Sequence, residues 1–148
     1  MAAQLLTSRW SHVYQHNKVT PIAEFAFVPV RISIQGPRFW SAAKEFPKVP
    51  ELMPYGLFKI TDRDEFAPKF EARLEDAGVD TIQAAFDQID ADYQKPLILL
   101  CYEDLSKTWC HRQVFAQWWE HQIGQVVPEA GDDLTFNGIE ATLEAALP

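Results

Sequence analysis

The chain has 148 residues, with 13 Lys+Arg against 21 Asp+Glu and a formal net charge of −8. Its 47% hydrophobic and 23% charged residues are the balance of a globular domain, and the length suits one domain that folds without staples. The acid surplus excludes a protein that coats DNA without sequence preference, because such binding rests on Lys and Arg neutralising phosphates.

No apolar run reaches the ~20 residues needed to span a bilayer, and MAAQLLTSRW lacks the charged start and apolar core of a signal peptide. The two cysteines, Cys101 and Cys110, make no disulfide framework. No disulfide, no membrane and a cytoplasmic setting are therefore expected.

In chain order, Gln4 to Ser8 is a candidate short strand. The segment from Ile22 to Ile34 is the first clear one, with Val28, Val30, Ile32 and Ile34 alternating with Pro29, Arg31 and Ser33. Pro29 puts this strand at an edge or starts it at Val30. Residues 39–60 carry Trp40, Phe46, Leu52, Met53, Tyr55, Leu57 and Phe58 among Pro47, Pro50, Pro54 and Gly56. That text predicts a long loop packed by its own side chains.

Phe66, Phe70, Leu74 and Ala77 share a helical face, and Pro68 predicts a start near Glu65 or Phe66. Gly78 then ends that helix. A second helix is predicted from Asp80, with Gln83 in capping-box position and Ile82, Ala85, Phe86, Ile89 and Tyr93 on its apolar face. Pro96 to Cys101 reads as a strand buried on both faces, the sign of a parallel sheet. A helix from Cys110 to Ile123 ends at Gly124, and Trp118 and Trp119 fall on its packing face. Val126-Val127 is a candidate strand and Ile139 to Leu147 a candidate helix. The whole predicts a single α/β domain over 1–148: a small, mostly parallel sheet flanked by helices, three-layered and Rossmann-like.

Ligands of open α/β sheets bind outside the carboxyl ends of the strands. Arg31, Ser33, Arg38, Cys101 and Glu103 are predicted at that rim, beside a helix start carrying Trp109, Cys110, His111 and Arg112. A helix N-terminus attracts anions, and an arginine fork suits oxyanions. A local anion pocket is thus compatible with a net-acidic chain. Bland readings stand beside these. Cys101 is a nucleophile or a small buried hydrophobe. Cys110 has a lowered thiol pKa or packs under Trp109. His111 is a base or a cap. Arg31 and Glu103 hold a ligand or each other.

No metal is expected, because Cys101, Cys110 and His111 match no common zinc spacing and adjacent helical residues point apart; His12, His16 and His121 lie elsewhere. A phosphatase-type cysteine loop fails because Lys107 stands where its arginine belongs. No cofactor-binding glycine loop or G-x-S-x-G is present.

Leu99-Leu-Cys-Tyr-Glu103, Trp109-Cys-His-Arg112 and the run Val114 to Trp119 resemble the C-terminal signature of domain-of-unknown-function family 488. Thr7-Ser8-Arg9-Trp10-Ser11, Val30 to Ser33, Gly36 to Phe39 and Gly78-Val79 are similar to further family stretches, so the match runs from Thr7 to about Glu129. The resemblance implies a small α/β protein of bacteria or phages with no assigned activity. It implies a pocket of Thr7, Ser8, Arg9, Arg31, Pro37, Cys101, Glu103, Cys110, His111 and Arg112. Val30 departs from the Asp that many members carry there, which leaves Glu103 as the pocket acid.

Three functions compete. One is binding or turnover of a phosphate- or nucleotide-like small molecule, with Glu103, Cys110 and His111 as candidate catalytic groups and Thr7, Ser8, Arg9, Arg31, Pro37, Arg38, Cys101, Trp109 and Arg112 as candidate ligand contacts. A second is a non-catalytic protein that sequesters a ligand or meets a partner through the 39–60 loop. The third is recognition of a nucleic-acid end or single base. Oligomeric state is not legible.

Overall fold

The computed structural model describes residues 2–147. Three strands, β1 (Leu5–Arg9), β2 (Val28–Arg31) and β3 (Leu97–Cys101), form a parallel sheet in the order β1-β3-β2. The helices are α1 (Trp10–Asn17), α2 (Arg63–Ala77), α3 (Val79–Tyr93), α4 (His111–Ile123) and α5 (Phe136–Ala145).

The central strand β3 is LILLC, buried at every position, as a strand covered on both faces must be. Its side chains divide between two cores. Leu97, Leu99 and Cys101 join Leu5, Val28, Val30 and the apolar faces of α2, α3 and α4. Ile98 and Leu100 face the other way, with Leu6, Trp10, Val13, Trp40 and Ile139. Two cores on one sheet make the three-layer α/β fold that the alternating elements predicted.

Both sheet edges are extended by single bridges. Arg31 N–H donates to Pro47 O at 2.8 Å, and Ala130 N–H donates to Thr7 O at 2.7 Å. The second bridge lies at Glu129, just past the predicted Val126-Val127 strand. Pro29 sits inside β2 without a lost bond. Val28 and Ile32 donate toward β3, to Pro96 O and Leu100 O, so the alternate position 29 faces outward. The predicted strand is longer than the observed one. Residues Ile22–Glu24 instead form a 3-10 turn, with Glu24 N–H donating to Pro21 O and Phe25 N–H to Ile22 O.

The helices also differ from expectation in places. Helix α1 has only Trp10 and Val13 buried, which leaves too sparse a stripe to read in the sequence. Helix α2 starts earlier than Pro68 suggested. Asp62 caps it by accepting from Glu65 N–H at 3.2 Å, and Pro68 lies in the second turn. The capping box at Asp80 does not form. Helix α3 begins at Val79, and Gln83 Nε2 donates to Asp87 at 2.9 Å. Residues 39–60 pack Trp40, Ala43, Val49 and Leu52 into the two cores and bury Met53, with Phe39 edge-on to Tyr14 at 4.9 Å.

Gly78 alone joins α2 to α3, at φ 92° and ψ 143°. L-residues avoid that region. A Cβ there meets nothing within 4 Å, so only the backbone penalty applies. Gly78→Ala is expected to lower unfolding free energy by about 1–3 kcal/mol, measured by urea denaturation.

Candidate functional site

All three strands end on one rim. The parallel register sets Arg9 beside Cys101, and Arg31 beside Leu100. A cleft of about 590 Å³ opens there, between the ends of β2 and β3, the start of α4 and the 54–61 part of the loop. One wall is aromatic and aliphatic, with Phe58, Phe66, Trp109, Leu57 and Ile60. The other carries Ser33, Tyr102, Glu103, Cys101, Cys110 and His111. Its volume lies within the usual range for small-ligand sites.

Trp109 is fixed by donation from Nε1 to Thr61 O at 3.1 Å and by the Phe66 ring at 4.9 Å. Ser33 is held by Trp10 Nε1, which donates to it at 3.1 Å, and it donates in turn to Gln35 O at 2.7 Å. Tyr102 OH donates to the same carbonyl at 2.8 Å. Partial burial raises the pKa of this hydroxyl, against lowering by Ser33, Arg31 and Arg38. Neither arginine is among the residues that line the cleft, though Arg31 ends β2 at the same rim.

His111 is buried, and its Nε2–H donates to Ile32 O at 2.8 Å. The neutral ring then presents bare Nδ1 toward Cys110 Sγ, at 3.7 Å. Burial pushes the His111 pKa down to about 4, helped by the Arg112 charge and opposed by the Ile32 bond. At neutral pH this side chain is an uncharged acceptor.

Cys101 and Cys110 are joined as a disulfide, nine residues apart, which corrects the expectation of none. Residues 102–109 leave the end of β3 and return to the same rim, so the last residue of the strand and the cap of α4 lie side by side. Counting cysteines cannot see that juxtaposition. The disulfide also removes cysteine usage as a sign of a reducing compartment. Glu103 Oε2 lies 3.1 Å from Cys110 Sγ. Cys110 is the N-cap of α4, extended at φ −142° and ψ 153°. It is outside the helix, so the rule that neighbouring helical side chains diverge does not apply to Cys110 and His111. The donor atoms of Cys101, Cys110 and His111 lie within 4.8 Å of one another.

Arg112 does not face the cleft. It is fully buried, donating from Nε and Nη2 to the two oxygens of Glu129 at 3.0 and 2.7 Å, and from Nη1 to Cys101 Sγ at 3.1 Å. Thr7 Oγ1 donates to Glu129 at 2.7 Å. Ser8 is buried, and Arg9 pairs with Asp104 at 3.1 Å. Pro37 is buried and Arg38 exposed. Arg31 makes no ion pair with Glu103 among the described residues, and its buried Nε has no hydrogen-bond partner there. Thus Cys101, Glu103, Trp109, Cys110 and His111 share the cleft, while Thr7 and Arg112 share a separate buried network. Tyr102 and Glu129 were not singled out from the sequence. Glu129 is recruited by the bridge to Thr7, for which no local pattern exists.

No family model, no curated protein and no solved structure matches the chain.

Two outcomes follow from this geometry. Glu129→Ala leaves the Arg112 charge buried and unpaired. It is expected to cost about 2–3 kcal/mol in urea denaturation, the low side for a buried pair because the Glu129 side chain is 34% exposed. His111 has a folded pKa of about 4 against an ordinary 6.5, so the unfolded chain takes up its proton first. Its contribution to stability is intact above pH 6.5 and is lost as pH falls toward 4. The loss totals roughly 3 kcal/mol. Urea denaturation across that range is expected to show the loss in the wild type, and a smaller one in His111→Gln.

Proposed function

We propose that the cleft at the strand ends binds a small nucleotide-like molecule, with the ring on the aromatic wall and the phosphate toward Arg31 and Arg38. The observation that carries this reading is the mixed lining of one open volume, which holds Phe58, Phe66 and Trp109 as well as Ser33, Tyr102 and Glu103. Flat rings suit the first group, and hydrogen-bonding edges of a base or sugar suit the second. Of the arginines at the rim, Arg112 is committed to Glu129 and Arg9 to Asp104. Arg31, which ends β2 at the rim, has a buried Nε without a partner among the described residues, and Arg38 is exposed on the segment that follows. They are the arginines left for an anion.

The resemblance to domain-of-unknown-function family 488 belongs to the same proposal. Its support is that Cys-x-Glu at the end of β3 and Cys-His at the start of α4 meet at one cleft. A cytoplasmic setting is also part of this reading. Among the described residues no helix is long and apolar enough to cross a membrane.

The test is thermal unfolding with a panel of nucleosides and nucleotides. A ligand at a hundred times its Kd adds about 2.7 kcal/mol and raises Tm by roughly 5–10 °C. Nucleotides are expected to raise Tm in the wild type. Arg31→Ala is expected to remove the advantage of nucleotides over nucleosides. No shift with any member of the panel sinks the proposal.

A further inference from the structure

We propose that, once the disulfide is reduced, Cys101, Cys110 and His111 hold a thiophilic divalent cation of the zinc class, with Glu103 as fourth ligand. The proposal does not depend on any ligand binding in the cleft.

Three donors already converge, and a fourth lies beside one of them. The sulfurs of Cys101 and Cys110 and a ring nitrogen of His111 lie within 4.8 Å of one another. His111 Nδ1 is 3.7 Å from Cys110 Sγ, and Glu103 Oε2 is 3.1 Å from the same sulfur. A tetrahedral zinc, with Zn–S about 2.3 Å and Zn–N about 2.0 Å, holds its S and N donors roughly 3.5 Å apart. The His111 separation is already near that value.

The histidine is also oriented as a metal ligand is. Its Nε2–H donates to the Ile32 carbonyl, which fixes the ring and leaves Nδ1 as the lone-pair nitrogen facing the sulfurs. Such a hydrogen bond on the far nitrogen is the usual support of a ligating imidazole. Arg112 Nη1 donates to Cys101 Sγ, a hydrogen bond that a metal-bound sulfur can keep.

The backbone spacing agrees. The Cα atoms of Cys101 and Cys110 are 7.6 Å apart. Disulfides usually span about 4.4–6.8 Å between Cα atoms. Once the bond is reduced, the wider separation lets the two sulfurs part far enough to share a metal. Both cysteines are almost wholly buried, while Glu103 is open to the cleft, so the cation would enter from that side.

A phosphine opens the site. It attacks the S–S bond and takes oxygen from water, giving phosphine oxide and two thiols; the thiol protons leave as the metal–sulfur bonds form. The protein is reduced in this way, desalted without oxygen and titrated with Co²⁺. The expected result is a thiolate-to-cobalt charge-transfer band with the visible bands of a tetrahedral ion, saturating at one equivalent and displaced by Zn²⁺. The disulfide form and Cys110→Ser are expected to lose the band, and Glu103→Gln to need more cobalt for saturation. Because Cys110→Ser has a buried change, a second measurement uses only the wild type: Zn²⁺ is expected to protect both thiols of the reduced protein from alkylation. Absence of the band in the reduced wild type, an equal band in the disulfide form, or thiols alkylated equally fast with Zn²⁺ each overturns the proposal.

Discussion

The buried guanidinium of Arg112 is the constraint on which the cleft depends. One side chain from the first turn of α4 reaches Glu129 with two hydrogen bonds and Cys101 with a third, while Thr7 donates to the same carboxylate. It therefore ties α4 to the edge segment beside β1 and to the end of β3. A fully buried charge is tolerated only with such complete pairing. Held this way, α4 starts at the strand rim with Cys110 beside Glu103 and His111 lining the same cleft. Moving the helix start would strand the guanidinium.

That constraint redistributes the charges of a net-acidic chain. The arginines closest to the motifs in sequence are spent on structure, Arg112 on Glu129 and Arg9 on Asp104. Arg31, at the end of β2, and Arg38, beyond it, make no ion pair among the described residues. Inside the cleft sit a carboxylate, a neutral imidazole and two sulfurs. This is a poorer anion site and a better cation site than the count of arginines suggests. The aromatic wall is independent of either charge.

Much of the fold was legible because it follows local rules. The continuous apolar run Leu97–Cys101 identified the central strand, and Phe66, Phe70 and Leu74 identified the inner face of α2. Gly78 and Gly124 marked helix ends that need positive φ. The misses have local causes too. Helix α1 buries only two side chains, and the cap at Asp62 outweighs the boundary suggested by Pro68. Of the candidate site, Cys101, Glu103, Trp109, Cys110 and His111 were legible, because strand ends and helix starts of parallel sheets face one rim. The disulfide and the Arg112–Glu129 pair were not. Both join residues through the path of a loop, and neither residue spacing nor charge pattern encodes that path.

The claim that Arg112 works as a structural tie is tested most directly by a double-mutant cycle of Arg112→Met and Glu129→Leu in urea denaturation. If the two side chains act as one buried unit, each single change is destabilising and the double variant recovers at least about 1 kcal/mol relative to their sum. Effects that add to within about 0.5 kcal/mol would contradict it and return Arg112 to the list of groups free to meet a ligand.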